Sequence, residues 1–293
     1  QALGGIDCHA YLEFDGENID PERLEKAWNV LQYHHPMLRA CFLEDGTQKI
    51  LDKPYCEKIK VHDFSRMSSE EAEAMAVSVR ERLSHRKLKI EEGEVAGIEF
   101  TLFPENKARL HVDMALLVAD VQSLQILLRD LAAAYRGESL PAESKGWNFA
   151  SYLERQKQEE GEERKNAEKY WKNRLEHLPK GPDLPLAKRP QEVEKMVFNR
   201  RIVRIEKEEW DHLQMRAKKY QTTPAMVLLT AYAVVLERWS RNHCFLINIP
   251  FFNRKTEQQG LEEVIADFTT LLLLEINCEE NPTFAELLDR IQK

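Results

Sequence analysis

The stretch Arg109–Gly137, RLHVDMALLVADVQSLQILLRDLAAAYRG, constrains the fold more than any other part of the chain. Leu110–Val118 is an apolar run without Gly or Pro, the right length for a strand buried on both faces, and reads as the central strand of a sheet. Leu124, Leu127, Leu128, Leu131 and Tyr135 then recur at helical spacing on one face, and Gly137 can close that helix as a left-handed cap. Strand and helix meet at Asp120-Val121-Gln122-Ser123. The C-terminal end of a buried strand beside a helix start is where open sheets carry binding or catalytic groups, which makes Asp120 and Ser123 the leading candidates. Both residue types are also preferred helix N-caps, so a structural role stands beside the functional one.

The remaining sequence supplies partners for this unit. Cys8–Phe14 alternates as a strand with Cys8, Ala10, Leu12 and Phe14 on its buried face, and Asp15-Gly16 reads as the turn after it. Asp20-Pro21 opens a helix whose stripe is Leu24, Ala27, Trp28 and Leu31, reaching His34. His34 and His35 are adjacent, but neighbours at a helix end point apart and no third ligand stands at zinc spacing, so they read as structural. Asp45-Gly46 turns a hairpin between Leu38–Leu43 and Gln48–Leu51. Ser68 with Glu71 forms a capping box for a helix reaching Leu88, its charges read as a solvated face. Ile98, Phe100 and Leu102 alternate in a strand joined so briefly to the central one that the two should pair antiparallel.

Beyond Gly137, Trp147, Phe149, Tyr152, Tyr170, Trp171 and Leu175 punctuate charged helices broken near Gly161. Leu178–Pro190 holds four prolines and one Gly and cannot be regular structure. The lobe boundary is placed there: residues 1–177 a first lobe, 178–195 a linker, 196–293 a partial second lobe. The second part begins with a strand at Val197–Ile205 and a helix at Lys207–Tyr220. Thr223-Pro224 caps a helix apolar around nearly its whole circumference from Met226 to Trp239, hence expected buried. Phe245–Ile249 and Asp267–Ile276 read as buried strands, and Thr283 with Glu286 caps a final helix.

Composition excludes several classes. The formal charge is −8 with no basic stretch interleaved with aromatics, which argues against a nucleic-acid partner. No apolar run approaches membrane-spanning length. The opening QALGGIDCHA has neither the basic start nor the apolar core of a signal peptide, and lacks an initiator Met, as expected of a piece of a longer polypeptide. The five cysteines are odd in number and scattered, which suits reduced thiols in a cytoplasmic protein; Cys8, Cys41 and Cys244 are expected buried.

VADVQSLQILLRDLAAAY, with HPMLRACF, YWKNRL, PFFNR and DFTTLLLLEI in this order, resembles the heterocyclisation domains of nonribosomal peptide synthetases. In these relatives of condensation domains the motif His-His-x-x-x-Asp-Gly is replaced by Asp-x-x-x-x-Asp-x-x-Ser. Asp120 and Ser123 match its second Asp and its Ser, while Ala115 stands where the first Asp belongs. Asp113 is out of register and does not count as that residue. The chain also lacks any His-x-x-x-Asp-Gly pattern, which disfavours an ordinary acyltransferase of the chloramphenicol acetyltransferase type.

The resemblance implies an α/β fold of two chloramphenicol acetyltransferase-like lobes, mixed sheets with packed helices, the second incomplete here. In the family that lobe continues past the position of Lys293 with a Thr and an Asp needed for cyclodehydration. It implies a peptide-bond-forming acyltransferase with cyclodehydratase activity. Such a domain condenses a carrier-bound acyl donor with carrier-bound Cys, Ser or Thr and closes a thiazoline or oxazoline, in a siderophore pathway as one guess. The partners implied are upstream donor and downstream acceptor peptidyl or aryl carrier proteins and neighbouring synthetase domains. Phosphopantetheine rides on the carriers, no cofactor is bound directly, and no metal is implied. Asp120 supplies a carboxylate for proton transfer or holds the junction through an ion pair with an Arg of the fold, and Arg254 is a candidate partner for a carboxylate that the sequence does not identify. Asn253, Arg254, Asp267 and Thr269 are the candidate substrate-binding residues, reading first as turn and core-lining polar groups. Ala115 marks either an altered, impaired form of an active enzyme or a degenerate scaffold that docks carrier proteins without catalysis.

Overall fold

The computed structural model describes residues 8–141, 148–159, 161–189, 192–194, 201–254 and 260–293. They group into two compact units. The first is Gly5–Glu159 together with Phe252–Thr269, and the second comprises Glu160–Phe251 and Thr270–Lys293. Residues 160–177, assigned by sequence to the first lobe, therefore group with the second unit, and 252–269 with the first. The proline-rich stretch marks absent regular structure rather than absent contacts: Asp183 donates its amide to Ser240 Oγ (3.0 Å) and Leu246 donates to Lys180 (3.0 Å).

The first unit is built on a mixed sheet in the order β1-β6-β5-β4. Its strands are β1 (His9–Glu17), β4 (Lys60–Asp63), β5 (Ala96–Leu102) and β6 (Lys107–Ala115); β2 (Ala40–Phe42) and β3 (Gln48–Ile50) form a separate hairpin. β6 is internal and antiparallel to both neighbours, while β4 runs parallel to β5. It stops at Ala115, earlier than expected, and Leu116 and Leu117 are exposed in the turn that follows. The expected turn at Asp15-Gly16 is also displaced, because Gly16 is held in register with Ala108 and the chain turns at Asn18, whose φ is 55°.

Helices α1 (Pro21–His34) and α3 (Val121–Arg136) cover one sheet face. Leu24, Trp28 and Leu31 of α1 and Ile126, Leu127 and Leu131 of α3 close over Ile98, Phe100, Val112 and Met114, a continuous apolar core. The 252–269 segment adds Leu261, Ile265 and Phe268 to that core, and α4 (Phe149–Glu159) adds Tyr152. Helix α2 (Ser69–Ser84) has the expected capping box but ends before Leu88, and packs Ala72, Ala76, Val79 and Leu83 with Phe64 and Phe103. Its charges are not all solvated, since Arg80 pairs with Glu13 of β1 and Arg82 with Glu99 of β5.

The second unit holds α5 (Gly161–Arg174), α6 (Lys207–Lys219), α7 (Pro224–Trp239), α8 (Phe284–Gln292) and the ladder of β7 (Cys244–Phe252) with β8 (Thr269–Asn277), except for Phe252 and Thr269, which group with the first unit. Phe245, Ile247, Leu274 and Ile276 of the ladder pack with Ala233 of α7 and Leu287 and Ile291 of α8. Three expectations fail here: the burial of α7, the burial of β8 and, over its described residues, the strand at 197–205. Leu228, Tyr232, Val235 and Trp239 of α7 are exposed, as are Leu271, Leu272 and Leu273 of β8, because this unit covers one face of each element. Arg201–Ile205 forms no strand and is exposed; the start of that stretch, like Trp147, lies outside the described residues. Cys41 is buried as expected, whereas Cys8 is exposed and Cys244 half-buried, and Cys278 is the other buried thiol.

Candidate functional site

The β6–α3 junction lies in the first unit and is organised by Asp120. Its Oδ1 accepts the amide of Ser123 (2.7 Å), the N-cap bond expected of an Asp at this position. The same carboxylate faces Arg254, whose Nη2 lies 3.2 Å from Oδ1 and 3.3 Å from Oδ2. The side chains of Arg254 and Asp120 are 2% and 0% exposed, so this ion pair is fully withdrawn from water. Burial pushes the Arg254 guanidinium below its ordinary value, against the pull of the Asp120 charge.

The rest of the guanidinium is nearly saturated. Nη1 donates to the carbonyls of Leu261 (2.9 Å) and Val264 (2.6 Å), Nη2 also reaches Ser123 Oγ (3.1 Å), and the group lies over the Phe268 ring, 4.1 Å from its centre. Nε has no partner among the described residues. Ser123 Oγ donates to the carbonyl of Ala266 (2.8 Å) and accepts from the amide of Ala266 (3.1 Å) and from Arg254. A hydroxyl offers one proton and two lone pairs, and all three are used. Asp120 donates its own amide to the Ala266 carbonyl (3.2 Å), so three groups of the 252–269 segment, the Arg254 guanidinium and the carbonyl and amide of Ala266, are tied to the first turn of α3.

The seven candidate residues are not one constellation. Asp120, Ser123 and Arg254 come together. Asn253 sits beside them, its amide donating to Phe268 (3.0 Å) and its carbonyl accepting from Tyr152 (3.1 Å). Asp267 and Thr269 bond to each other, the Thr269 amide to Asp267 Oδ1 (2.9 Å), and Thr269 is exposed. Ala115 is buried at the end of β6, opposite His9, and its amide donates to Val95 (2.8 Å). With Asp120 as the common residue, the two His of the condensation motif fall on Ala115 and Leu116, so neither position has an imidazole. Sequence reasoning missed Phe268 and the backbone of Leu261, Val264 and Ala266. Main-chain groups leave no signal in residue identity, whereas an aromatic between the candidates Asp267 and Thr269 could have been flagged.

A second polar layer lies between α2 and the sheet. Tyr11 donates to Glu13 (2.8 Å), so His111 Nδ1, 2.7 Å from the Tyr11 oxygen, must be the donor to it, and Nε2 then accepts from Thr101 (2.8 Å). Burial pushes His111 down to about 4, which keeps it neutral. Asp113, rejected above as the missing motif Asp, is buried here and paired with Arg86, which also holds Glu94 (2.9 Å). Burial raises its carboxyl and Arg86 pulls the other way.

This mixed sheet with a clasped strand–helix junction defines an α/β domain of the chloramphenicol acetyltransferase-like kind found in condensation and cyclization domains. The chain superimposes on the cyclization-docking bidomain of the EpoB synthetase from Sorangium cellulosum with a TM-score of 0.85 and 29% identity, covering 97% of this chain and 57% of that one. The condensation domain family model matches residues 7–293, and the chain belongs to that family. It is 37% identical over 293 residues to pyochelin synthetase PchE of Pseudomonas aeruginosa, covering 100% of this chain and 20% of that protein. To phenyloxazoline synthase MbtB of Mycobacterium tuberculosis it is 35% identical over 302 residues, covering 100% of this chain and 21% of that protein. The chain thus spans about a fifth of these relatives. Among the described residues no helix is long and apolar enough to cross a membrane.

Proposed function

We propose that the domain to which this chain belongs is a heterocyclisation catalyst of a nonribosomal peptide synthetase, working in the cytoplasm. The amine of a carrier-bound Cys, Ser or Thr attacks the thioester carbonyl of an acyl donor; the C–N bond forms, the C–S bond breaks, and the donor thiol leaves with the proton. The Cys thiol or the Ser or Thr hydroxyl then attacks the new amide carbonyl, and loss of water gives a thiazoline or oxazoline. Both substrates ride on phosphopantetheine of upstream and downstream carrier proteins. The first step is mostly positioning, the second proton transfer.

The observation that carries this reading is the Asp120–Ser123–Arg254 clasp: the two matched motif residues meet one buried arginine, while positions 115 and 116 have no imidazole. A carboxylate with no exposed surface, bonded to Arg254 and to an amide, is badly placed to exchange protons with substrate. Asp120, Ser123 and Arg254 are therefore assigned as positioning residues, and Asn253, Asp267 and Thr269 as the polar rim of the same segment. The carboxylate missing at Ala115 impairs this chain.

Ala115 itself favours a second reading, a scaffold that docks carrier proteins without catalysis. Intact-protein mass spectrometry of acyl-loaded donor and Cys-loaded acceptor carriers, incubated with the full domain carrying Ala115 or Ala115→Asp, separates the two. A product one water lighter than the linear amide, formed with Ala115→Asp and not with Ala115, is the expected result. Linear amide from both forms would remove cyclodehydration, and no acyl transfer from either would leave the scaffold.

A further inference from the structure

We propose that the end of α1 and the middle of α3 form a zinc site, with His34, His35 and Asp130 as its protein ligands. The sequence offers two adjacent histidines and no third ligand at zinc spacing, but the fold brings Asp130 to them from another helix. One donor atom from each of the three residues lies within 4.8 Å of the others. His35 Nε2 and Asp130 Oδ2 are 2.9 Å apart, a hydrogen bond that must open to ~3.3–3.6 Å for both atoms to bind one tetrahedral ion at ~2.0–2.2 Å. The His34 ring stands edge-on to that of His35, centroids 4.7 Å apart.

The surroundings fit an ion as well as the ligands do. His35 and Asp130 are 5% and 1% exposed, whereas His34 is half-buried and lines an open hollow with Lys26, Asn29, Val30 and Tyr33. An ion could enter from that side and keep a water in its fourth position. Arg129 Nε donates to Asp130 Oδ1 (2.8 Å), which orients the carboxylate and leaves Oδ2 turned to His35, the outer support that zinc ligands need. The Arg129 charge is shared with Glu263, which lowers its repulsion of a cation. Two imidazoles and one carboxylate suit zinc better than the oxygen-seeking Mg²⁺ or Ca²⁺.

The His35–Asp130 hydrogen bond forms without a metal, so the test turns on substitution of His34. Isothermal titration of the whole chain with ZnCl₂ should give one ion per chain. His34→Gln, which leaves the buried pair intact, should weaken binding at least ~10-fold, and Asp130→Asn should weaken it further. At free zinc ~100 times Kd the unfolding equilibrium should shift ~100-fold toward the folded chain. Co²⁺ in place of Zn²⁺ should give the visible absorption of a four-coordinate site without a thiolate charge-transfer band, which separates this site from the exposed Cys8 and Cys56. Circular dichroism checks that each variant is folded. No binding by the wild-type chain, equal binding by folded His34→Gln, or a thiolate band would overturn the site.

Discussion

Replacing Arg254 with Met tests whether the junction is held by charge. Met reaches as far through the core but leaves Asp120 ionised, with no exposed surface and no counter-ion. Removing one partner of a buried ion pair costs about 3–5 kcal/mol. The carbonyls of Leu261 and Val264 and the hydroxyl of Ser123 also lose a donor, so the upper half of that range is expected. Asp120→Asn alone keeps an oxygen to cap the Ser123 amide but leaves Arg254 charged and unpaired. In the double variant neither charge is stranded, so its loss should fall below the sum of the two singles by about 2–3 kcal/mol. Because the chain has two compact units, urea unfolding should be followed by hydrogen exchange in peptides covering α3 rather than by a global signal. A single-variant loss within about 0.5 kcal/mol of wild type, or strictly additive losses, would refute the assignment of the pair as the clasp.

Further outcomes follow from the polar layer and from one turn. His111 has an ordinary value of 6.5 and is held near 4 when folded, so between these values the unfolded chain binds the extra proton. Stability should therefore be fully present above pH 6.5 and fall by about 3 kcal/mol as the pH drops toward 4. His111→Gln should flatten the slope between pH 6.5 and 5, above the range in which Glu13 and Glu99 protonate, and a slope unchanged in urea titrations would exclude His111 as its source. Gly93 has φ = 90°, and a Cβ there would lie 2.6 Å from Leu51 Cδ1. Gly93→Ala should cost about 1–2 kcal/mol from the left-handed backbone alone, measured by the same unfolding assay, and a neutral result would mean the turn can relax.

Much of the first unit was legible because periodicity and punctuation agree there. Asp20-Pro21, Ser68 with Glu71, and Gly137 bound their helices as expected, and Asp120 was found both as a cap and as a site candidate. The charges of α2 misled on one point. They read as a solvated face, yet Arg80, Arg82 and Glu73 meet Glu13, Glu99 and Arg109 of the sheet, because opposite charges face them there. In the second unit the apolar runs of α7 and β8 were recognised but expected buried where one face of each is exposed, since hydropathy reports what a side chain prefers and not whether a neighbour is present. Arg254 was flagged as a carboxylate's partner without its carboxylate. Asp120 lies 134 residues away, and Asp130 lies 95 from His35; no local pattern links such pairs.

The tie between Ser123 and Ala266 also sets a timetable for synthesis. Their separation of 143 residues is the length the ribosome must still translate after α3 has begun to emerge. At ~5–20 residues per second this takes roughly 7–29 s. During that interval Asp120 has no arginine, the Ser123 hydroxyl has no backbone partner, and the places of Leu261, Ile265 and Phe268 in the apolar core stand empty. The nascent first unit must wait for a segment made long after the rest of it. A rare codon or a chaperone acting while residues 137–252 are being translated would therefore govern the yield of a sheet whose strands were all finished by Ala115.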